Sequence, residues 1–337
     1  MEKIWVGIIR CDLHAIYYAN VMQEHDPYVL REPEYGRGGY YYFYSHYNDP
    51  KKMAFPIVEG FELVKVWDAD RRRAENMTKI YLSRPKVCET FEEVSDEVDL
   101  VLIADCNGDG SDHLKLAKPG IEKGVPTFID KPLAYDMKDA LALVELALKH
   151  DTPIMSLSIL RELPHATHFR NRFVELNKAK FGVIKGSTQH MAGFIHAISL
   201  AQHLFGAGVE SVEAMGGNGK PFIMHLDYGG KIDRPIAGVM LNCDAGPTFH
   251  CALYASAYSE LGAVHSSHFS DYEFPWGVVR IVKKIKRMVE TRQPQAPYEE
   301  MLEGIAIAVA ARLSLVQRRR VFLSEVWDNA PLGRARS

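Results

Sequence analysis

What most constrains this chain is the rhythm of its first half. From Ile4 to Leu157, short apolar runs alternate with helical stretches. Ile4–Ile9 is almost continuously apolar, the pattern of a strand buried on both faces. Phe61–Trp67, Leu100–Ala104, Val125–Ile129 and Pro153–Leu157 read as further strands. Ala15–Gln23, Arg72–Leu82, His113–Lys123 and Met137–His150 read as the helices between them, with Gly124 as a C-terminal cap. Strands separated by helices cannot pair as hairpins, so each must return through a crossover. That predicts a doubly wound parallel sheet.

The second half has a different pattern. Phe181–Gln189, Val209–Met215, Phe222–Leu226, Ile236–Leu241 and His250–Ser256 are β-rich runs broken by Gly and Asp. Consecutive strands with short turns predict a largely antiparallel open sheet. Ala197–Leu204 reads as a short helix closed by Gly206, with His196 at its start. Val278–Thr291 is amphipathic with basic spacing. Tyr298–Gln317 opens on Glu299 and Glu300 and ends before Arg318–Arg320, acid first and base last, as the helix dipole favours. The fold class expected is α/β: a Rossmann-like doubly wound sheet followed by an α+β domain.

One stretch breaks the rhythm. Glu24–Gly60 holds Pro, Gly and the run Tyr40-Tyr41-Tyr42-Phe43-Tyr44-Ser45-His46-Tyr47. A connection that long is uncommon inside a domain. It reads as an inserted hairpin or lid packing its rings on the body, with a place in a substrate pocket or subunit interface as the alternative.

Forty basic against 43 acidic residues, a net charge of −3, exclude a nucleic-acid-coating protein or a polybasic membrane binder. No apolar run reaches the ~18 residues of a membrane span. Met1-Glu2-Lys3 leads directly into a strand-like run, without a secretory signal pattern. The five cysteines, Cys11, Cys88, Cys106, Cys243 and Cys251, form no C-x-x-C pair, and reduced thiols in the cytoplasm are expected. Fourteen histidines include no H-E-x-x-H; His265-Ser-Ser-His268 lacks a third ligand, so no metal is expected. Kinase, NTPase and serine hydrolase motifs are absent.

The first strand-to-helix turn is Gly7-Ile8-Ile9-Arg10-Cys11-Asp12-Leu13-His14-Ala15. Laid on G-x-G-x-x-G, it places Arg10, Asp12 and Ala15 at the three glycine positions. Cys11, Asp12, Leu13 and His14 are then the turn residues nearest a dinucleotide. Asp12 is an objection, because a carboxylate repels a diphosphate unless it turns away or caps the helix. Asp68, at the end of Phe61–Trp67, stands where NAD's ribose hydroxyls would be held; Arg71-Arg72-Arg73 could instead accept a 2′-phosphate.

Further on come Ile103-Ala104-Asp105-Cys106-Asn107, then His113, then Asp130-Lys131-Pro132-Leu133-Ala134. Here the chain resembles the Gfo/Idh/MocA oxidoreductases, whose members carry a strand followed by Thr-Pro-Asn, a histidine, and then Glu-Lys-Pro-Leu-Ala. The family's later Asp-x-Gly-x-His, with a glycine ten residues on, falls on His196 and Gly206. Gln293-Pro294 before an acid-started helix and Arg320–Leu323 as a closing strand also resemble the family. The motif's Asp falls on Ala192, its Gly on Phe194, and Ser199 replaces a frequent acid.

The resemblance implies residues 1–133 as a dinucleotide-binding domain with the insertion at 24–60, residues 134–325 as a substrate and oligomerisation domain, and a tail at 326–337. It implies Asp105, Asn107 and Lys131 beside the cofactor, Lys131 as electrostatic catalyst and His196 as base. His14 and His113 would make helix-start contacts beside the cofactor. With the motif's Asp missing, His190 is the first candidate to orient His196, then Arg161, Glu162, His165 and His168. The implied reaction is NAD(P)-dependent hydride transfer to or from a secondary alcohol of a sugar or polyol. Asp68 favours NAD over NADP. The alternatives are a transient oxidation–elimination on a glycoside and a non-catalytic sensor. A carbohydrate-like small molecule, no nucleic acid, no membrane, and a homodimer or homotetramer through the second sheet complete the expectation.

Overall fold

In a computed structural model the described residues are 3–32, 34, 37–44, 53–217, 220–245, 253–269 and 273–328. The elements begin β1 (Ile4–Ile9), α1 (Leu13–Met22), α2 (Pro27–Arg31), α3 (Arg37–Tyr44), β2 (Phe61–Trp67), α4 (Arg71–Ile80), β3 (Lys86–Val87) and β4 (Leu100–Ile103). They continue with α5 (His113–Glu122), β5 (Thr127–Ile129), α6 (Met137–Lys149), β6 (Ile154–Met155), α7 (Pro164–Asn171), β7 (Phe181–Lys185), α8 (Met191–Phe205) and β8 (Ser211–Gly216). The last are β9 (Phe222–Asp227), β10 (Val239–Cys243), β11 (Tyr254–Ser259), β12 (Gly262–His265), α9 (Phe274–Thr291), α10 (Tyr298–Gln317), β13 (Val321–Phe322) and α11 (Leu323–Asp328). They form two compact units. The first is Met1–Asp130, Ala142–Leu157 and Phe274–Pro297; the second is Lys131–Leu141, Ser158–Glu273 and Tyr298–Ser337.

The first unit contains a six-stranded sheet of order β3-β2-β1-β4-β5-β6, every pair parallel. Its centre is as apolar as the sequence requires: Val6, Ile8 and Ile9 of β1 and all of β4 are buried. From β1 the chain crosses to β2 on one side, and later to β4 on the other. The strand order reverses between β1 and β4, and the crevice beyond their carboxyl ends is where doubly wound sheets bind ligands. α9 comes from far along the chain and packs on α1.

The 24–60 stretch differs from the expected hairpin. Its described part forms two short helices. Asp26 caps α2 by accepting from Tyr28 and Val29 N–H, with Pro27 in the first turn. α3 lies so close to α1 that a Cβ on Gly39 would stand 2.5 Å from Ile16 Cγ2. The rings do pack on the body. Tyr42, Phe43 and Tyr44 are buried, with Tyr17 edge-on to Tyr42 and Phe43. His25 Nε2 meets Tyr44 Oη at 2.8 Å. Ser45, His46 and Tyr47 lie outside the described residues, as does 246–252, which includes Cys251 and the first part of the expected His250–Ser256 strand.

The second unit contains a seven-stranded sheet of order β12-β11-β7-β10-β9-β8-β13. β7 and β10 are parallel, and the other pairs are antiparallel. α8 and α10 pack on it and on each other. α8 is buried nearly all round and starts at Met191, earlier than the sequence pattern indicated. His190, in extended conformation, occupies the cap position, so His196 lies within the helix and not at its start.

Candidate functional site

In the first unit, a cleft of about 980 Å³ opens at the carboxyl ends of β1, β2 and β4. Arg10, Cys11, Asp12 and Leu13 of the first turn line it, with Asp68, Arg73 and Asn76 beyond β2 and Asp105–Gly108 beyond β4. Arg10, at the first glycine position, has φ +66°, the left-handed region that costs an L-residue about 1–2 kcal/mol. Its guanidinium compensates by bridging Asp105 Oδ2 at 2.9 Å and Asp112 Oδ2 at 2.5 Å. Burial alone would lower the Arg10 pKa, but the two carboxylates outweigh it and hold the pKa above its ordinary value.

Asp12 caps α1. Its Oδ1 accepts from His14 N–H at 2.9 Å and Ala15 N–H at 3.2 Å, and its Oδ2 accepts from Cys106 N–H at 2.7 Å. Asp68 accepts from Cys11 N–H at 2.8 Å and Asp70 N–H at 2.8 Å. The Cys11 thiol is buried against Trp67 O; burial, then Asp68 and Asp12, push its pKa well up, so it is no thiolate nucleophile.

Asp105 and Asp130 form the floor of this network. Asp105 takes Arg10, His113 Nε2 at 3.1 Å and Gly108 N–H at 2.6 Å. Burial raises its pKa, and His113 with Arg10 more than reverses that. Gly108 has no room for a side chain, since a Cβ would stand 2.1 Å from Asp105 Oδ2. Asp130, 1% exposed, pairs with His14 Nδ1 and accepts from Tyr18 Oη and Asp105 N–H, both at 3.2 Å. His14 and His113 therefore each hold an aspartate. Burial and Asp130 push the Tyr18 phenol far above its ordinary pKa. Asn107 lines the cleft.

In the second unit, Lys131 is 3% exposed, and its ammonium donates to Ala192 O at 3.3 Å. Ala192 is the position where the resembled motif has Asp; here its side chain is a methyl group, and its carbonyl meets the lysine. His196 lies four residues along α8, on the same helix face. Its Nδ1 lies 2.6 Å from Ser158 Oγ, which also accepts from Leu160 N–H at 3.1 Å. Ser158 and His196 are both buried. His190 is exposed and makes no capping bond. Arg161 pairs with Glu300 at 2.9 Å, His165 lies 4.0 Å from Glu273, Glu162 is buried and His168 is exposed. Sequence reasoning missed Ser158. Its only signal was a helix-capping serine just beyond a strand.

No group of His, Cys, Asp and Glu able to hold a metal occurs among the described residues, and no helix there is long and apolar enough to cross a membrane.

The parallel sheet, its switch point and the lined cleft define a Rossmann-type dinucleotide fold joined to a mixed-sheet unit. Residues 35–157 match the family model described as "Oxidoreductase family, NAD-binding Rossmann fold", GFO_IDH_MocA. Over that stretch, a little over a third of the chain, it is similar to the Gfo/Idh/MocA oxidoreductases. It is 33% identical over 85 residues to inositol 2-dehydrogenase of Corynebacterium glutamicum, a stretch covering 25% of this chain and 24% of that protein. It is 23% identical over 157 residues to inositol 2-dehydrogenase 2 of Saccharopolyspora erythraea, covering 46% of this chain and 45% of that one. The match thus spans about a quarter to a half of these relatives' length. The fold is shared with scyllo-inositol dehydrogenase from Lactobacillus casei, solved with NAD(H) and scyllo-inositol: TM-score 0.72 at 12% identity, over 96% of this chain and 100% of that one.

The chain's own residues fit the nucleoside end of a dinucleotide, with Asp68 at the end of β2 and Arg73 and Asn76 along the cleft. At the diphosphate end, the helix-start donors His14 N–H and Ala15 N–H are already held by Asp12.

Proposed function

We propose that this chain is an NAD(P)-dependent oxidoreductase that moves a hydride to or from a secondary alcohol of a cyclic polyol or sugar. The observation carrying the reading is that buried Lys131 is held on Ala192 O, one helical turn before buried His196 on α8, in a chain similar to this family over residues 35–157. Lys131 is fixed by Ala192 O, and as an ammonium it carries three donors, so it can stabilise an alkoxide without reorganising. His196 exchanges the hydroxyl proton at Nε2. For Nε2 to accept a proton, Nδ1 must donate to Ser158 Oγ, which then accepts from both Nδ1–H and Leu160 N–H, using both lone pairs. Ser158 is thus the positioning residue, in the role the sequence had offered first to His190. A bound nicotinamide supplies or accepts the hydride.

Asp68 supports NAD over NADP, since a carboxylate repels a 2′-phosphate. Arg71 is engaged by Glu89 and Glu75, which draws it away from that role. A homo-oligomer through the second sheet belongs to the same proposal. Phe181, Val183, Met240, Ile223 and Met215 lie on one incompletely covered face of that sheet. Light scattering would show a dimer or tetramer.

The test is NADH formation when NAD+ is presented with a panel of inositols and aldoses. Turnover of at least one is expected, with Lys131→Met reducing the rate by roughly 10²-fold, the scale of one lost electrostatic donor, while nucleotide still binds. Near-normal turnover by Lys131→Met would refute the assignment.

A further inference from the structure

The crevice between β1 and β4 already contains an anion, the Asp12 carboxylate. Oδ1 accepts the N–H groups of His14 and Ala15 at the start of α1, and Oδ2 crosses to the N–H of Cys106 beyond β4. Free N–H groups at a helix start are what a diphosphate normally binds in such a turn. The neighbouring donors are held the same way: Cys11 N–H by Asp68 and Gly108 N–H by Asp105. The Arg10 guanidinium turns to Asp105 and Asp112. Along the cleft, Arg10, Arg73 and Lys115 face Asp12, Glu34, Asp68, Asp105 and Asp112, an excess of negative charge where a dianion would arrive.

We infer that Asp12 is an internal stand-in for the diphosphate. Binding a dinucleotide displaces its carboxylate from the α1 donors and from Cys106 N–H, so Asp12 sets the affinity by competing with the ligand. The inference rests on the NAD(P) reading above. It separates two roles that one residue combines, the helix cap and the negative charge. Asp12→Asn keeps an oxygen to cap α1 and removes the charge. Asp12→Ser keeps a cap on a shorter arm that releases Cys106 N–H.

The experiment measures NADH binding by calorimetry to the full-length wild type and both variants, with adenosine as a probe that has no phosphate. Thermal unfolding without nucleotide verifies that the variants fold. The expected result is NADH binding about tenfold tighter or more in both variants, the scale of removing one unit charge beside a dianion, with adenosine binding unchanged within about twofold. If wild type binds NADH and neither variant binds it more tightly, the inference falls and the cofactor reading stands. An equal gain for adenosine also overturns it, because the effect would not act through the phosphates. If neither wild type nor the folded variants bind NADH, both the cofactor reading and the inference fail.

Discussion

Lowering the pH should destabilise the first unit through His25. Its ring is buried between Tyr44 and Tyr81, with Nε2 on Tyr44 Oη and Nδ1 3.4 Å from Gln23 O. Burial outweighs the opposing contributions of Gln23 O, Asp26 and Glu24 and lowers its pKa from 6.5 to about 4. The unfolded chain therefore binds a proton near pH 6.5 that the folded chain refuses until about pH 4. The neutral ring costs nothing above pH 6.5, and stability falls as pH drops between the two values. The slope is about 1.4 kcal/mol per pH unit, which amounts to about 2 kcal/mol at pH 5. Urea unfolding of wild type and His25→Phe between pH 7.5 and 4.5 isolates the effect. Phenylalanine keeps the ring contacts and removes the titrating group, and its loss of the Tyr44 bond is a constant offset. The stability difference between the two proteins should move by about 2 kcal/mol in favour of the variant between pH 7 and 5. Parallel pH profiles would refute a buried neutral imidazole at this position.

Other outcomes follow from the site. Ser158→Ala removes the Nδ1 partner of His196 and should lower turnover by about 10–100-fold, equivalent to about 1–3 kcal/mol of lost hydrogen bonding, and alter the pH–rate profile; Ser158→Thr, which keeps the hydroxyl, should restore much of it. His190→Ala, at an exposed cap position, should stay within about threefold of wild type in the same assay, on the scale of a surface substitution. Asp68→Asn should narrow the preference for NAD over NADP in paired titrations. It should also cost stability, measurable by thermal unfolding, because Cys11 N–H loses a charged acceptor.

Much of the first sheet was legible from its apolar runs: Ile4–Ile9 matches β1 in its bounds, and Phe61–Trp67 matches β2 although Glu62 and Lys65 interrupt its apolar residues. The α2–α3 segment was not legible. Tyrosine and glycine are weak helix formers, and α3 owes its helix to rings buried on α1, a tertiary effect no local window contains. The start of α8 is hidden from the sequence for a related reason: Gly193 and β-branched Ile195 depress local propensity, while burial on the sheet supplies the stability. Asp12 was readable as a cap from residue type alone, but its bond to Cys106 joins positions 94 residues apart. Ser158 and His196 are 38 residues apart, and no spacing rule ties a serine to a histidine across that distance.

The packing of α9 on α1 separates chain order from assembly order. Domains commonly fold in sequence as they leave the ribosome. The parallel sheet is complete once β6 has emerged, yet its unit still lacks the helix carrying Val278, Ile281, Val282 and Ile285, all buried. Trp276 against Phe55, Lys286 on Glu59 O, and Arg292 on Gly124 O and Asp151 O also wait for that helix. During synthesis the nascent Rossmann layer must hold an open apolar seam while more than a hundred further residues are made. A fragment ending at Leu157 would keep that seam permanently, and a separately made α9 peptide is the piece that could close it.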